Sequence, residues 1–110
     1  MKVRLFRRNN RIQLSYELVQ ELGVEPGSWM LVFKVKGQRR WGLTSVSKEE
    51  AGQMICTPVL EKNGMFYIET RVPSMDYIYT SLGIKNKGVK TLDVKELRLN
   101  DGPIVYTFGL

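Results

Sequence analysis

The sequence predicts a mainly β chain, or an α+β one, in which short helices join antiparallel strands. Three observations carry that expectation. Apolar and polar residues alternate around Val3 and Leu5, around Ile12 and Leu14, and again from Trp29 to Val35, the period-two pattern of half-buried strands. Helical spacing is confined to two short runs, Leu18-Val19-Leu22 and Met75-Ile78-Tyr79-Leu82, and each is closed by a glycine, Gly23 or Gly83. Finally, Leu22-Gly23-Val24 recurs as Leu82-Gly83-Ile84 sixty residues later, and Arg11-Ile12 falls on Arg71-Val72 at the same offset, so the second half reads as a weak repeat of the first.

The elements follow in chain order. Lys2 to Arg8 reads as a strand, Asn9-Asn10 as a tight turn that can supply positive φ, and Arg11 to Leu14 as the returning strand. Ser15 is a helix N-cap, because its hydroxyl can accept from an unpaired first-turn amide, and Glu17 sits where the helix dipole favours a carboxylate. Gly23 stops the helix and Glu25-Pro26-Gly27 turns the chain into the strand Trp29 to Val35. On that strand Trp29, Leu31, Phe33 and Val35 share one face, expected to be the core face, with Lys34 and Lys36 on the other. Lys36 to Arg40 forms a basic hairpin loop, and Trp41 to Val46 returns; Trp29 and Trp41 are expected in the core rather than on bases.

Ser47-Lys48-Glu49-Glu50 has the capping-box pattern, so a short helix is expected through about Met54, serving as a linker over residues 47–56. Then come a strand from Thr57 to Lys62, the hairpin turn Asn63-Gly64, and a strand from Met65 to Val72. Pro73-Ser74 ends that strand and caps the Met75–Leu82 helix. Lys87-Gly88 turns, Val89 to Leu97 is a strand, Asn100-Asp101-Gly102 turns again, and Pro103 to Phe108 closes. The expected organisation is thus a basic unit over 1–46, the linker, and a divergent second unit over 57–110.

Arg11, Ile12, Leu14, Glu17, Leu18, Leu22, Gly23, Val24 and Gly27 stand in an order that resembles the AbrB/SpoVT-type swapped-hairpin family. That family's pattern runs Arg, aliphatic, any, aliphatic, Pro, any, Glu-Leu, then Leu-Gly-aliphatic and a Gly turn before an apolar strand. Ser15 stands where the family has Pro, and Pro73 comes two positions too early in the second unit. The resemblance implies a barrel of two interleaved β-β-α-β-β units. Two units in one chain would build it as a pseudo-dimer, without needing a partner to complete the sheet. It also implies DNA binding through arginines of the first hairpin, which here are Arg4 and Arg11. The family's helix arginines have no counterpart, since Val19 and Gln20 occupy those places.

Charge points the same way. Residues 1–45 hold nine Lys and Arg against three acids, whereas residues 46–110 hold eight of each. A basic half on a neutral half favours an anionic partner on one face. Lys2, Arg4, Arg7, Arg8 and Arg11 fall in eleven residues with no acid between them, and Lys34, Lys36, Arg39 and Arg40 add to them. Guanidinium groups suit phosphate because their planar fork donates two parallel hydrogen bonds. Arg7, Arg8 and Asn10 at the hairpin tip are the candidates for base edges. Lys85 and Lys87, from the neutral half, are expected to matter far less.

Catalysis is not expected. The chain has no His, its one cysteine, Cys56, has no His partner, no phosphate-binding GxxxxGK[ST] loop is present, and the acids lack metal-ligand spacing, so neither a metal nor a cofactor is expected. A lone cysteine fits a reducing cytoplasm, and no apolar run is long enough for a signal peptide or a membrane span. Two classes remain: a DNA-binding protein, most simply a transcription regulator, with RNA as a variant the sequence leaves open; or a protein-interaction adaptor or antitoxin-like module. A protein partner, or a homodimer built on top of the single-chain barrel, is compatible with both.

Overall fold

The computed structural model describes residues 1–86, 88–100 and 102–110; Lys87 and Asp101 lie outside the described residues, and with them part of the turns expected at Lys87-Gly88 and Asn100-Asp101-Gly102. Strand β1 (Lys2–Phe6) ends two residues earlier than expected and pairs antiparallel with β2 (Arg11–Leu14), Val3 opposite Leu14 and Phe6 opposite Arg11. Asn10 takes positive φ in the connection, as its short amide side chain allows.

Helix α1 (Tyr16–Leu22) is capped by Ser15, whose hydroxyl accepts from Leu18 N–H at 3.3 Å and from Lys2 N–H at 3.0 Å. One side chain therefore both starts the helix and ties it to β1. Gly23 ends the helix in the left-handed conformation at φ +65°, its N–H donating to the Val19 and Gln20 carbonyls. Strands β3 (Trp29–Lys34) and β4 (Arg40–Val46) form the second hairpin. Helix α2 (Lys48–Ala51) carries the expected capping box but is a single turn, closed at Gly52 rather than near Met54.

The expected Thr57–Lys62 strand is split at Val59 into β5 (Thr57–Pro58) and β6 (Leu60–Lys62). Strand β7 (Met65–Glu69) ends three residues short of Val72. Helix α3 (Met75–Leu82) buries Met75, Ile78, Tyr79 and Leu82, is capped by Ser74, and stops at Gly83 with φ +77°. Strands β8 (Lys90–Arg98) and β9 (Ile104–Gly109) complete the chain.

The strand order is β5-β3-β4-β9-β8-β1-β2-β7-β6, with every pairing antiparallel. Its two outermost members are consecutive in sequence. The segment 57–62 pairs first with β3 and then with β7, so it joins the two edges and nearly closes a barrel. Val59 fastens the join: its N–H donates to the Ser28 carbonyl and its carbonyl accepts from Gly27 N–H, both at 2.8 Å. Closure removes the exposed edges that an open sheet would present. Leu5, Ile12, Leu43, Ile68 and Phe108 fill the interior.

The helices plug opposite ends. Helix α3 lies where the β1–β2 turn opens, since Asn10 Oδ1 accepts from Met75 N–H at 3.1 Å. Helix α1 lies at the other end, where the Met1 amino group meets Glu17 at 3.3 Å.

One strand is turned over relative to expectation. Met30, fully buried, and Val32 face inward on β3, while Trp29, Leu31 and Phe33 are half-buried on the outer face. Both faces of this strand are apolar, so alternation within it cannot choose the core face; β4 chooses. Val32 lies opposite Leu43 and Lys34 opposite Trp41, and Leu43 and Trp41 both point into the core. Phe33 lies opposite Gly42, and a Cβ built on Gly42 would overlap the Phe33 ring, so the missing side chain is the seat of that ring. Trp41 is in the core as expected; Trp29 is not.

Because Ser15 accepts two backbone N–H groups and Ser74 one on its helix, Ser15→Ala should cost more than Ser74→Ala, the latter about 1 kcal/mol as for a typical cap. Denaturant unfolding at matched conditions measures both; equal losses would mean that the Lys2 contact adds nothing. Gly23→Val should destabilise through backbone strain alone, since nothing lies within 4 Å of a Cβ there.

Candidate nucleic-acid interface

The interleaved strand order brings the two basic loops to the same end of the barrel. The β1–β2 turn carries Arg7 and Arg8 to the N-terminal part of α3, where Arg7 pairs with Asp76 and its guanidinium lies 5.6 Å from the centre of the Tyr79 ring. The β3–β4 loop carries Lys36 and Arg39 to the C-terminal part of α3, with Arg39 Nη1 3.6 Å from the Cβ position of Gly83. Trp41, at the base of that loop, donates from Nε1 to Ser81 Oγ at 2.5 Å and meets Tyr77 edge-on with ring centres 5.8 Å apart. The two loops therefore flank a helix of about 12 Å, at 1.5 Å per residue.

Residues from the second half close this end. The chain leaves Gly83 beside Arg39 and returns at Gly88 beside β1, where Tyr79 Oη lies 2.9 Å from both the Gly88 and the Leu5 carbonyl oxygens. Burial pushes the Tyr79 hydroxyl above its ordinary range, with Arg7 acting the other way, so it keeps the proton that it donates. Lys85 lies on this return and Lys90 opens β8 opposite Leu5; both are exposed. They belong to the same cationic end, so Lys85 is not the distant control that its place in the neutral half suggests, and Lys87 lies outside the described residues.

The opposite end has the other sign. Glu17 and Glu21 on α1, Glu25 after it, Glu49 and Glu50 on α2, and Glu61 on β6 stand there against Lys2, Lys48, Lys62, Arg98 and the Met1 amino group. Tyr106 is pushed above its usual range first by burial and then by the Glu21 and Glu96 carboxylates.

The ten residues singled out in the sequence divide into tethered and free. Arg7, with 23% of its side chain exposed, is held by Asp76. Arg11, 31% exposed, reaches Glu69 at 3.5 Å and stacks 4.0 Å from the Tyr67 ring centre, its Nε buried without a partner. Arg40 is bound to Thr107 through Nε to Oγ1 at 3.0 Å and Nη2 to the carbonyl at 2.9 Å. Lys34 closes its own loop by donating to the Gln38 carbonyl. Asn10 caps α3 with its side chain and accepts Thr70 N–H with its carbonyl at 2.7 Å. Lys2 has only a loose contact, 3.6 Å to Asp93, and Arg4, on the barrel flank, touches Thr91 Oγ1 at 3.4 Å. Among the described residues Arg8, Lys36 and Arg39 are exposed and make no ion pair.

No group of three or more His, Cys, Asp or Glu among the described residues could hold a metal, and no helix is long and apolar enough to cross a membrane. No family model matches the chain, and neither the curated proteins nor the solved structures give a match.

Cys56 is half-buried, and its thiol is raised above its ordinary range by burial and then by Glu50, the reverse of the cationic setting that activates a thiolate. Its alkylation by iodoacetamide at neutral pH should be slower in the folded protein than in denaturant; a faster reaction in the folded state would show an activated thiol.

Proposed function

We propose that this protein binds nucleic acid, in the first place DNA, through the α3 end of its barrel, as a regulator of the AbrB-like swapped-hairpin kind built as a single-chain pseudo-dimer. The observation that carries the reading is the gathering of Arg8, Lys36, Arg39, Lys85 and Lys90 from three separate stretches of chain at one end of a barrel whose other end is acidic. Solvated surface charge has no reason to collect in this way. A phosphate chain gives one, because free cations on a rigid frame release its counterions on binding. The pseudo-dimer reading is supported by hairpins of residues 1–46 alternating with hairpins of residues 57–109 around the sheet, and by the parallel roles of Ser15 with Ser74 and Gly23 with Gly83.

Charge decides which arginines test the reading. Arg11→Glu would set a carboxylate against Glu69 and lose the Tyr67 stack, so its loss of binding would be confounded with loss of stability. Arg8→Glu with Arg39→Glu removes two cations that make no ion pair among the described residues. In a duplex-DNA mobility shift over a salt series, about five phosphate contacts predict a log–log slope near −4 to −5, and the double variant should weaken binding and flatten the slope by about 2. Lys62→Glu with Arg98→Glu, away from the α3 end, should leave both nearly unchanged. Equal losses from the two pairs would mean diffuse attraction, and no binding even at low salt would favour a protein-interaction module instead.

A further inference from the structure

Between the β1–β2 turn and Gly88-Val89 lies a cleft of about 910 Å³, lined by Phe6, Arg8, Asn9 and Asp76 on one side and Gly88 and Val89 on the other. Its composition differs from that of a plain phosphate site. Phe6 is an outward residue of β1, half-buried, and is not among the partly buried side chains packed against the core. Val89, across the cleft, is 57% exposed. The apolar floor is thus available, and Arg8 lines it with no ion pair among the described residues.

Hydrogen bonds tie the flanks of the cleft to the barrel. Tyr79 bridges the Leu5 and Gly88 carbonyls, Asn86 Oδ1 accepts from Gly88 N–H at 2.8 Å, and Asn10 is bound to both Met75 and Thr70. Arg7 partly neutralises Asp76, so the cleft offers one paired acid beside Arg8, which makes no ion pair among the described residues. An aromatic ring in an open cleft, an exposed asparagine amide and the Arg8 guanidinium match one nucleotide: the ring for the base face, the amide for a base edge, the guanidinium for a flanking phosphate.

We propose that this cleft seats an unpaired nucleobase, and that the protein therefore prefers single-stranded or looped nucleic acid to a closed duplex. The inference rests on nucleic-acid binding at the α3 end. A double helix keeps its base faces stacked on their neighbours and cannot enter the cleft, whereas a strand can turn one base out onto Phe6.

The test is fluorescence anisotropy with a labelled single strand of mixed sequence and with the blunt duplex that it forms. The wild type should bind the single strand more tightly. Phe6→Leu should weaken single-strand binding about tenfold, within the range of a lost base–aromatic stack, and Phe6→Tyr should restore it. Neither variant should change duplex binding, and thermal melting checks that both are folded. Duplex binding with no single-strand preference, or a Phe6→Leu effect equal on both ligands, would overturn the nucleobase seat while leaving the DNA reading intact. No binding to either ligand would overturn both.

Discussion

No hairpin in this protein has a neighbour from its own half of the chain. β1–β2 lies between β8 and β7, and β3–β4 lies between β9 and β5, so every hairpin edge of residues 1–46 is satisfied by a strand from residues 57–109. Each half alone would expose unpaired strand edges and one apolar face of a thin sheet. Interleaved, the halves cover each other, and Val59 fastens the remaining join through Ser28 and Gly27. The position of each helix follows, because α1 and α3 connect hairpins on opposite sides of the barrel and so plug opposite ends.

The charge distribution is a second consequence. The chain is basic in its first half and balanced in its second, but the molecule is polarised by end rather than by half. Arg8, Lys36 and Arg39 from one half meet Lys85 and Lys90 from the other, and the glutamates of α1 and α2 collect at the far end. The tethered arginines do structural work within this pattern. Arg7 and Arg11 each span more than fifty residues of sequence to reach Asp76 and Glu69, binding the first hairpin to the second half. Exposed ion pairs add little stability each, and these two, half-buried and stacked on tyrosines, mainly fix where the β1–β2 turn lies.

What could be read in the sequence was local. The caps at Ser15, Ser47 and Ser74, the left-handed stops at Gly23 and Gly83, and the positive φ at Asn10 each depend on a few neighbouring residues, and each stands where the sequence puts it. The core face of β3 could not be read, because Trp29, Leu31 and Phe33 are as apolar as Met30 and Val32, and the choice is made by Gly42 on the next strand. The division of Thr57–Lys62 into two strands follows from the join it makes across the barrel. Which arginines are free was equally hidden, since the partners of Arg7, Arg11 and Arg40 are distant in sequence. The place of Lys90 was hidden for the same reason, since the register of β1 against β8 sets it opposite Leu5, eighty-five residues away in sequence.

The most direct test of the account is to map the contact surface without changing any residue. Backbone amide shifts followed by NMR during titration with a short oligonucleotide should concentrate in 6–10, 36–39 and 76–90, around α3 and the two loops beside it. Perturbations confined to α1, α2 and the Asn63-Gly64 turn, or to the outer face of β3, would contradict the placement of the site at the cationic end.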